Sequence, residues 1–246
     1  MISMKDKTAL ITGATGGIGA ETARLLAKAG ATVVITDLSL TRLNALKEQL
    51  EDGQQARVTS YELDCSDQQA CQRICAQIAE KHEGLDYLIH CAGIYLEQPV
   101  TQMTSTEWQH VLNTNLNSTF FICQAAIPYL KPNSAIVNLS SMAGHRGSFH
   151  HAHYSASKGA ISSFSKSLAL ELGPKTRVNC VAPGIISTSM TKDLIDQKGV
   201  GLLEQTPLKR FGTPVEVAGT IAFLCSDLAS FITGETIHTN GGLYML

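Results

Sequence analysis

The chain has 246 residues, 44% of them hydrophobic, which is enough apolar material for one substantial core and suits a single α/β domain spanning 1–246. Basic and acidic residues nearly cancel, leaving a formal net charge of -2 with no block of like charge. That balance argues against nucleic acid or an anionic membrane as a partner and points to a small molecule.

The opening residues, MISMKDKTALITGATGG, lack the apolar core of a signal peptide, and no apolar run approaches the ~18 residues of a membrane span. A cytoplasmic protein is therefore expected. The cysteines, at 65, 71, 75, 91, 123, 180 and 225, are odd in number and form no Cys-x-x-Cys. Several sit in apolar runs such as FFICQ and IAFLCS, so they read as buried free thiols in a reducing compartment. Cys71 and Cys75 share a helical face, but no histidine lies near them in sequence and no zinc site is expected.

The first predicted strand, KTALIT (7–12), runs into the glycine-rich turn TGATGGIG (12–19) and then into a helix beginning near Ile18. A strand, such a turn and a helix N-terminus make an anion site, because glycines allow close backbone approach and free N–H groups face the phosphates. After the helical stretch ETARLLAKAG, the second strand, ATVVIT (31–36), ends at Asp37, 18 residues past Gly19. A carboxylate there accepts hydrogen bonds from an adenosine ribose and repels a 2'-phosphate, which favours NAD(H) over NADP(H). Leu38 and Gly16 support that choice, since neither offers the cation a phosphate would want. Arg42 is expected on a solvated helix face.

Further strands are predicted at 57–63, 85–90, 134–140, 177–182 and 235–239, with helical spacing between them as in TRLNALKEQL. Alternation of this kind implies a parallel sheet covered on both faces. In GTPVEVAG, Thr213 is the expected N-cap, with Pro214 in the first turn and Glu216 completing a capping box. Residues 187–212 have weaker periodicity and are expected to form a lid over a substrate.

The run HHAHYSASK places Tyr154 and Lys158 four positions apart, hence on one helical face. A nearby ammonium favours phenolate, so the tyrosine pKa is expected to fall toward neutrality and fit the residue for proton transfer. The histidines of loop 145–153 are not expected to hold a metal, since His150 and His151 are adjacent and His145 lies across a glycine turn. One of these rings, or Arg146, is expected to line the substrate pocket or a subunit contact.

These motifs together resemble the short-chain dehydrogenase/reductase family over essentially the whole chain. The family's Thr-Gly-x-x-x-Gly-x-Gly turn is matched by Thr12, Gly13, Gly17 and Gly19, and its Tyr-x-x-x-Lys by Tyr154 and Lys158. Its active-site serine matches Ser141 in VNLSSMAG and its asparagine Asn115 in NTNLNSTF. The Pro-Gly turn and threonine that hold the nicotinamide match Pro183, Gly184 and Thr188, and the pair cradling adenine becomes Asp64-Cys65.

The resemblance implies a doubly wound Rossmann fold with a seven-stranded parallel sheet, order 3-2-1-4-5-6-7. It also implies dinucleotide contacts from Thr15, Gly16, Ile18, Leu38, Cys91, Ala92, Gly93 and Ile186. Ser141 would steady the substrate oxygen, Lys158 would bond the nicotinamide ribose, and Asn115 would hold a water leading from the lysine. The family's Asn-Asn-Ala-Gly is here His90-Cys91-Ala92-Gly93, so the amides that brace the central strand are missing. His90 reads as a core histidine.

Within the family the C-terminal TGETIHTNGGLYML looks most like the 3-oxoacyl-[acyl-carrier-protein] reductases of fatty acid synthesis, which usually use NADPH. The expected activity is reduction of a ketone to a secondary alcohol or the reverse, on an acyl thioester or another small molecule. An acyl carrier protein would dock near Lys131, Lys175 and Arg177, and a homotetramer is implied. The alternatives are an NAD-linked dehydrogenase of a polyol, sugar or acyl-CoA derivative, and a non-catalytic dinucleotide sensor. A nucleotide-sugar epimerase would need more chain after Pro183.

Overall fold

The computed structural model describes residues 2–52 and 56–245. Its strands are β1 (Thr8–Thr12), β2 (Thr32–Asp37), β3 (Arg57–Glu62), β4 (Leu85–His90), β5 (Leu130–Leu139), β6 (Thr176–Pro183) and β7 (Thr236–Thr239). They pair in parallel in the order β3-β2-β1-β4-β5-β6-β7, as expected.

The helices are α1 (Gly17–Lys28), α2 (Leu40–Glu51), α3 (Gln68–His82), α4 (Ser105–Leu112), α5 (Ser118–Ala126), α6 (Ala143–Arg146), α7 (Ala152–Leu172), α8 (Lys192–Gln205) and α9 (Pro214–Cys225). They cover both faces of the sheet, and successive strand residues alternate between the two cores. In β1, Ala9 and Ile11 join the core beneath α1, α2 and α9, whereas Leu10 joins the one beneath α3, α5 and α7. Val33 and Ile35 of β2 divide from Val34 in the same way. Continuous apolar strands are what two covered faces require, and each buried Leu or Ile contributes roughly 1.5–3 kcal/mol.

Local signals set the helix starts. Glu216 accepts from the Thr213 backbone N–H at 2.8 Å and closes the expected capping box of α9. Asp67 caps α3 through the Ala70 N–H at 3.0 Å. Between α4 and α5 the helix widens into a π turn, Asn113–Asn117, a feature that often re-aims a side chain at a functional site. Asn115 sits in that turn and is fully buried. The strand order reverses between β1 and β4, which opens a crevice at their C-terminal ends where open α/β sheets bind ligands.

Candidate active site

At the end of β1 the chain turns through Gly13, whose φ of +61° suits glycine. A Cβ there would lie 2.6 Å from the Ala92 nitrogen, so the turn rests directly on the backbone of residues 91–93 after β4. Cys91 N–H donates to Thr12 O at 3.1 Å and locks the two strand ends together. A Cβ on Gly17 would stand 2.8 Å from Thr188 Cγ2, and one on Gly19 would stand 2.3 Å from Gly13 O. Gly16 is the N-cap of α1 and makes no side-chain cap, so the first N–H groups of the helix face outward for an anion. This cradle fits a dinucleotide pyrophosphate.

Asp37 ends β2 beside the cradle. Its Oδ2 accepts from Thr15 N–H at 2.9 Å and from Thr15 Oγ1 at 2.6 Å, while Oδ1 accepts from Leu38 N–H at 2.8 Å. The carboxylate therefore pins the phosphate loop, a role the spacing did not reveal, and Oδ1 keeps capacity toward a ribose. Thr15 N–H is committed to this pin. Arg42 is exposed on α2, as expected, and its Nη2 also donates to Thr15 O at 2.8 Å, so the guanidinium reaches the loop. The reach of the arginine stem from the first turn of α2 accounts for it. Asp64 lies two residues past β3 in a tight turn, accepting from Ser66 N–H at 2.8 Å, and Cys65 beside it is buried.

His90 is fully enclosed. One ring nitrogen lies 2.7 Å from Thr12 Oγ1 and the other 3.2 Å from Ser118 Oγ, and burial lowers its pKa to about 3. The neutral imidazole thus ties β1, β4 and α5 together. The bracing expected to be missing is present, supplied by a ring in place of an amide.

Tyr154 and Lys158 do project together from α7, and both are buried. Lys158 Nζ lies 5.9 Å from the Tyr154 ring centroid and donates to Leu139 O at 2.7 Å. The expected fall in the tyrosine pKa is not what this setting gives. Burial pushes the phenol up to about 12, opposed by the Ser141 hydroxyl, and pushes Lys158 down to about 8. The physical reason is desolvation: α7 carries both groups into a dry interior that penalises phenolate and ammonium alike, and the lysine turns its donor to a carbonyl. A neutral, fully protonated phenol results.

Asn115 faces the same region. Its Oδ1 accepts from Ile94 N–H at 2.8 Å, and its Nδ2 donates to Ile94 O at 3.0 Å and to Ser157 Oγ at 3.2 Å. Ser157 in turn donates to Tyr154 O at 2.7 Å. The asparagine amide therefore holds the 94 segment against α7. A Cβ on Gly93 would lie 3.1 Å from Asn115 Oδ1 and 3.5 Å from Lys158 Nζ, so these three residues meet at the crevice. Ser141 follows β5 and its Oγ accepts from Ala143 N–H at 3.1 Å.

Ser141 and Tyr154 line a cleft of about 850 Å³, whose walls include Leu96, Met142, Ile185 and, from α8, Leu194. Gly184 also lines it, whereas Ile186 is buried behind the wall, bridged to Gly212. Arg146 and Lys198 also line this cleft and are exposed.

Tyr95, which sequence reasoning did not single out, shapes the cleft together with His151, one of the rings expected to line it. Tyr95 stacks flat on His151, with centroids 3.9 Å apart and planes 4° from parallel, and meets Tyr154 edge-on at 4.8 Å. Both sit in segments outside strands, where no periodicity announces them. The histidines of 145–153 diverge: His150 pairs with Glu97 at 3.0 Å, His153 accepts from Tyr154 N–H at 2.9 Å, and His145 lies against His238. Arg177 is half-buried, and its guanidinium donates to Ile232 O at 3.4 Å and to Ser226 O at 3.3 Å. Lys131 pairs with buried Asp86 at 3.6 Å.

A family model described as enoyl-(acyl carrier protein) reductase matches residues 13–244. A 3-oxoacyl-[acyl-carrier-protein] reductase FabG from Aquifex aeolicus is 39% identical over 99% of each chain. The chain belongs to the short-chain dehydrogenase/reductase family. FabG of Escherichia coli is 36% identical over the full length of both chains. A solved short-chain dehydrogenase/reductase from Brucella melitensis, titled glucose/ribitol dehydrogenase, superposes with a TM-score of 0.96 at 43% identity, covering 100% of this chain and 99% of that one. As a member of this family the chain is a nicotinamide-dependent oxidoreductase acting between a ketone and a secondary alcohol.

Proposed function

We propose that this short-chain reductase converts a 3-oxoacyl thioester, borne on an acyl carrier protein arm, to the 3-hydroxyacyl product, with NADH favoured over NADPH. One observation carries the reading: a protonated Tyr154 lies with Ser141 in a cleft whose walls suit a short acyl chain.

Gly13, Gly16, Gly17, Ile18, Gly19 and the 91–93 backbone would hold the pyrophosphate and adenosine, with Asp37 at the ribose and Asp64 and Cys65 at the adenine. Pro183, Gly184, Ile186 and Thr188 would border the nicotinamide, which when bound supplies the hydride. The protein handles the proton. Tyr154 donates it to the carbonyl oxygen; a phenol near 12 is still far more acidic than the secondary alcohol that forms, so the transfer runs downhill. Ser141 orients the carbonyl by donating to the same oxygen. Lys158 is held by Leu139 O for contact with the ribose, and Asn115 fixes the 94 segment beside it.

Residues 187–212, including α8, would act as a lid, and Arg146 and Lys198 are placed for the phosphate of the carrier arm. A cytoplasmic homotetramer is the assembly that the family likeness supports.

A second reading, reduction of a small hydroxy ketone, draws on the polar groups of the cleft, Tyr95, Glu97, His151 and Gln197. Purified protein with NADH or NADPH is mixed with acetoacetyl thioesters and with a panel of sugar and polyol ketones, and the nicotinamide absorbance is followed. Preference for the thioesters supports the first reading. Oxidation only with hydroxy ketones supports the second, and none with any carbonyl would leave a dinucleotide sensor.

A further inference from the structure

His151 is 5% exposed, and its ring is held at two points. One face lies on Tyr95. Its Nδ1 lies 2.7 Å from Phe149 O, and a carbonyl oxygen can only accept, so Nδ1 carries the proton. Burial lowers the pKa of this ring, which keeps it neutral. Nε2 then holds a bare lone pair. Among the described residues it has no hydrogen-bond partner, it is not among the sealed unpaired atoms, and His151 lines the cleft. An acceptor held this rigidly lines the cleft beside Tyr154, with the Tyr95 ring in contact with both.

We infer that His151 is a specificity-determining residue: its Nε2 accepts a hydrogen bond from a donor that the substrate carries several bonds away from the reacting carbonyl. The inference rests on the ketone-reducing reading and deepens it. The donor required is an N–H or O–H. The amide N–H of a pantetheine-type thioester arm is one source, and a hydroxyl of a hydroxy ketone is the other. The exposed cations Arg146 and Lys198 on the same cleft suit a longer, phosphate-bearing arm and so favour the amide. Tyr95 is a positioning residue in this scheme, since it holds His151 by stacking and touches Tyr154 by its edge.

Two substrate pairs test this, each with one donor-bearing and one donor-free member. The first is acetoacetyl-N-acetylcysteamine against S-ethyl acetothioacetate; the second is 4-hydroxy-2-butanone against 2-butanone. kcat/KM is measured for wild type, His151→Phe, which keeps an aromatic ring on Tyr95 without the acceptor, and His151→Gln, which restores one. His151→Leu replaces the phenylalanine variant should that fail to fold.

In wild type the amide-bearing thioester is expected to exceed its donor-free partner by about tenfold, the worth of one neutral hydrogen bond. The ratio should fall toward one in His151→Phe, through loss on the amide-bearing substrate alone, and recover in part in His151→Gln. A ratio dependent on His151 only in the second pair supports the inference with a hydroxyl as donor. Ratios unchanged by His151→Phe in both pairs overturn it while the ketone-reducing reading stands. Absence of turnover with all four carbonyls overturns that reading and the inference with it.

Discussion

Lys158→Met tests whether the active-site lysine is held at the expense of stability. In the native chain burial lowers its pKa from 10.5 to about 8. At about 1.4 kcal/mol per pH unit, the folded state is penalised by roughly 3 kcal/mol wherever the ammonium is charged in both states. That condition holds below pH ~8. Between the native and unfolded values the unfolded chain binds the proton more tightly, so the lost stability is regained as pH rises from about 8 toward about 10.5. Methionine fills the same channel without charge but leaves Leu139 O without its 2.7 Å donor, a loss of about 1 kcal/mol. The variant should therefore be about 2 kcal/mol more stable than wild type at pH 7, and by pH 10.5 the order should reverse, leaving it less stable by up to about 1 kcal/mol, the lost hydrogen bond alone. Urea unfolding of both proteins without dinucleotide, at several pH values, measures it, and the titrating cysteines and tyrosines common to both cancel in the difference. Wild type being the more stable at pH 7, or a gap that does not change with pH, would refute the reasoning.

His90→Leu leaves Thr12 Oγ1 without its 2.7 Å partner and should destabilise the fold by about 2 kcal/mol in urea. Because the folded ring resists protonation down to about 3, wild type should lose stability as pH falls below ~6.5, and the variant should lose less over that range. Asp37→Ser removes both the ribose carboxylate and the pin on Thr15; the ratio of kcat/KM for NADH over NADPH should fall by about tenfold, with Arg42 left to meet a 2'-phosphate. An unchanged ratio would show that Asp37 does not discriminate.

The strands and the glycine-rich turn were legible because they depend on local rules, while the strand order came from the family resemblance. Apolar runs at strand spacing mark the strands, Gly13 and Gly19 are demanded by backbone contacts that any side chain would obstruct, and Gly17 lies against the Thr188 side chain. Tyr154 and Lys158 were legible as a pair, since one helical turn places them on a shared face. Their protonation was not. It depends on how deeply α7 is buried and on Leu139 O from another element, neither of which is written in the spacing. Arg42 and Arg177 show the same limit: the exposed Arg42 also reaches a loop, and the half-buried Arg177 donates to backbone carbonyls of another segment, neither of which the spacing announces. The Tyr95 and His151 stack joins two irregular segments far apart in sequence, so only the tertiary structure discloses it.

The account stands most directly on the phenol of Tyr154 as the group that delivers the proton. Turnover of acetoacetyl-N-acetylcysteamine by Tyr154→Phe, measured beside the dinucleotide Kd of the same preparation, addresses it. Turnover should drop by on the order of 10²-fold or more while the Kd stays within about twofold of wild type. Turnover retained within a few-fold would contradict the assignment.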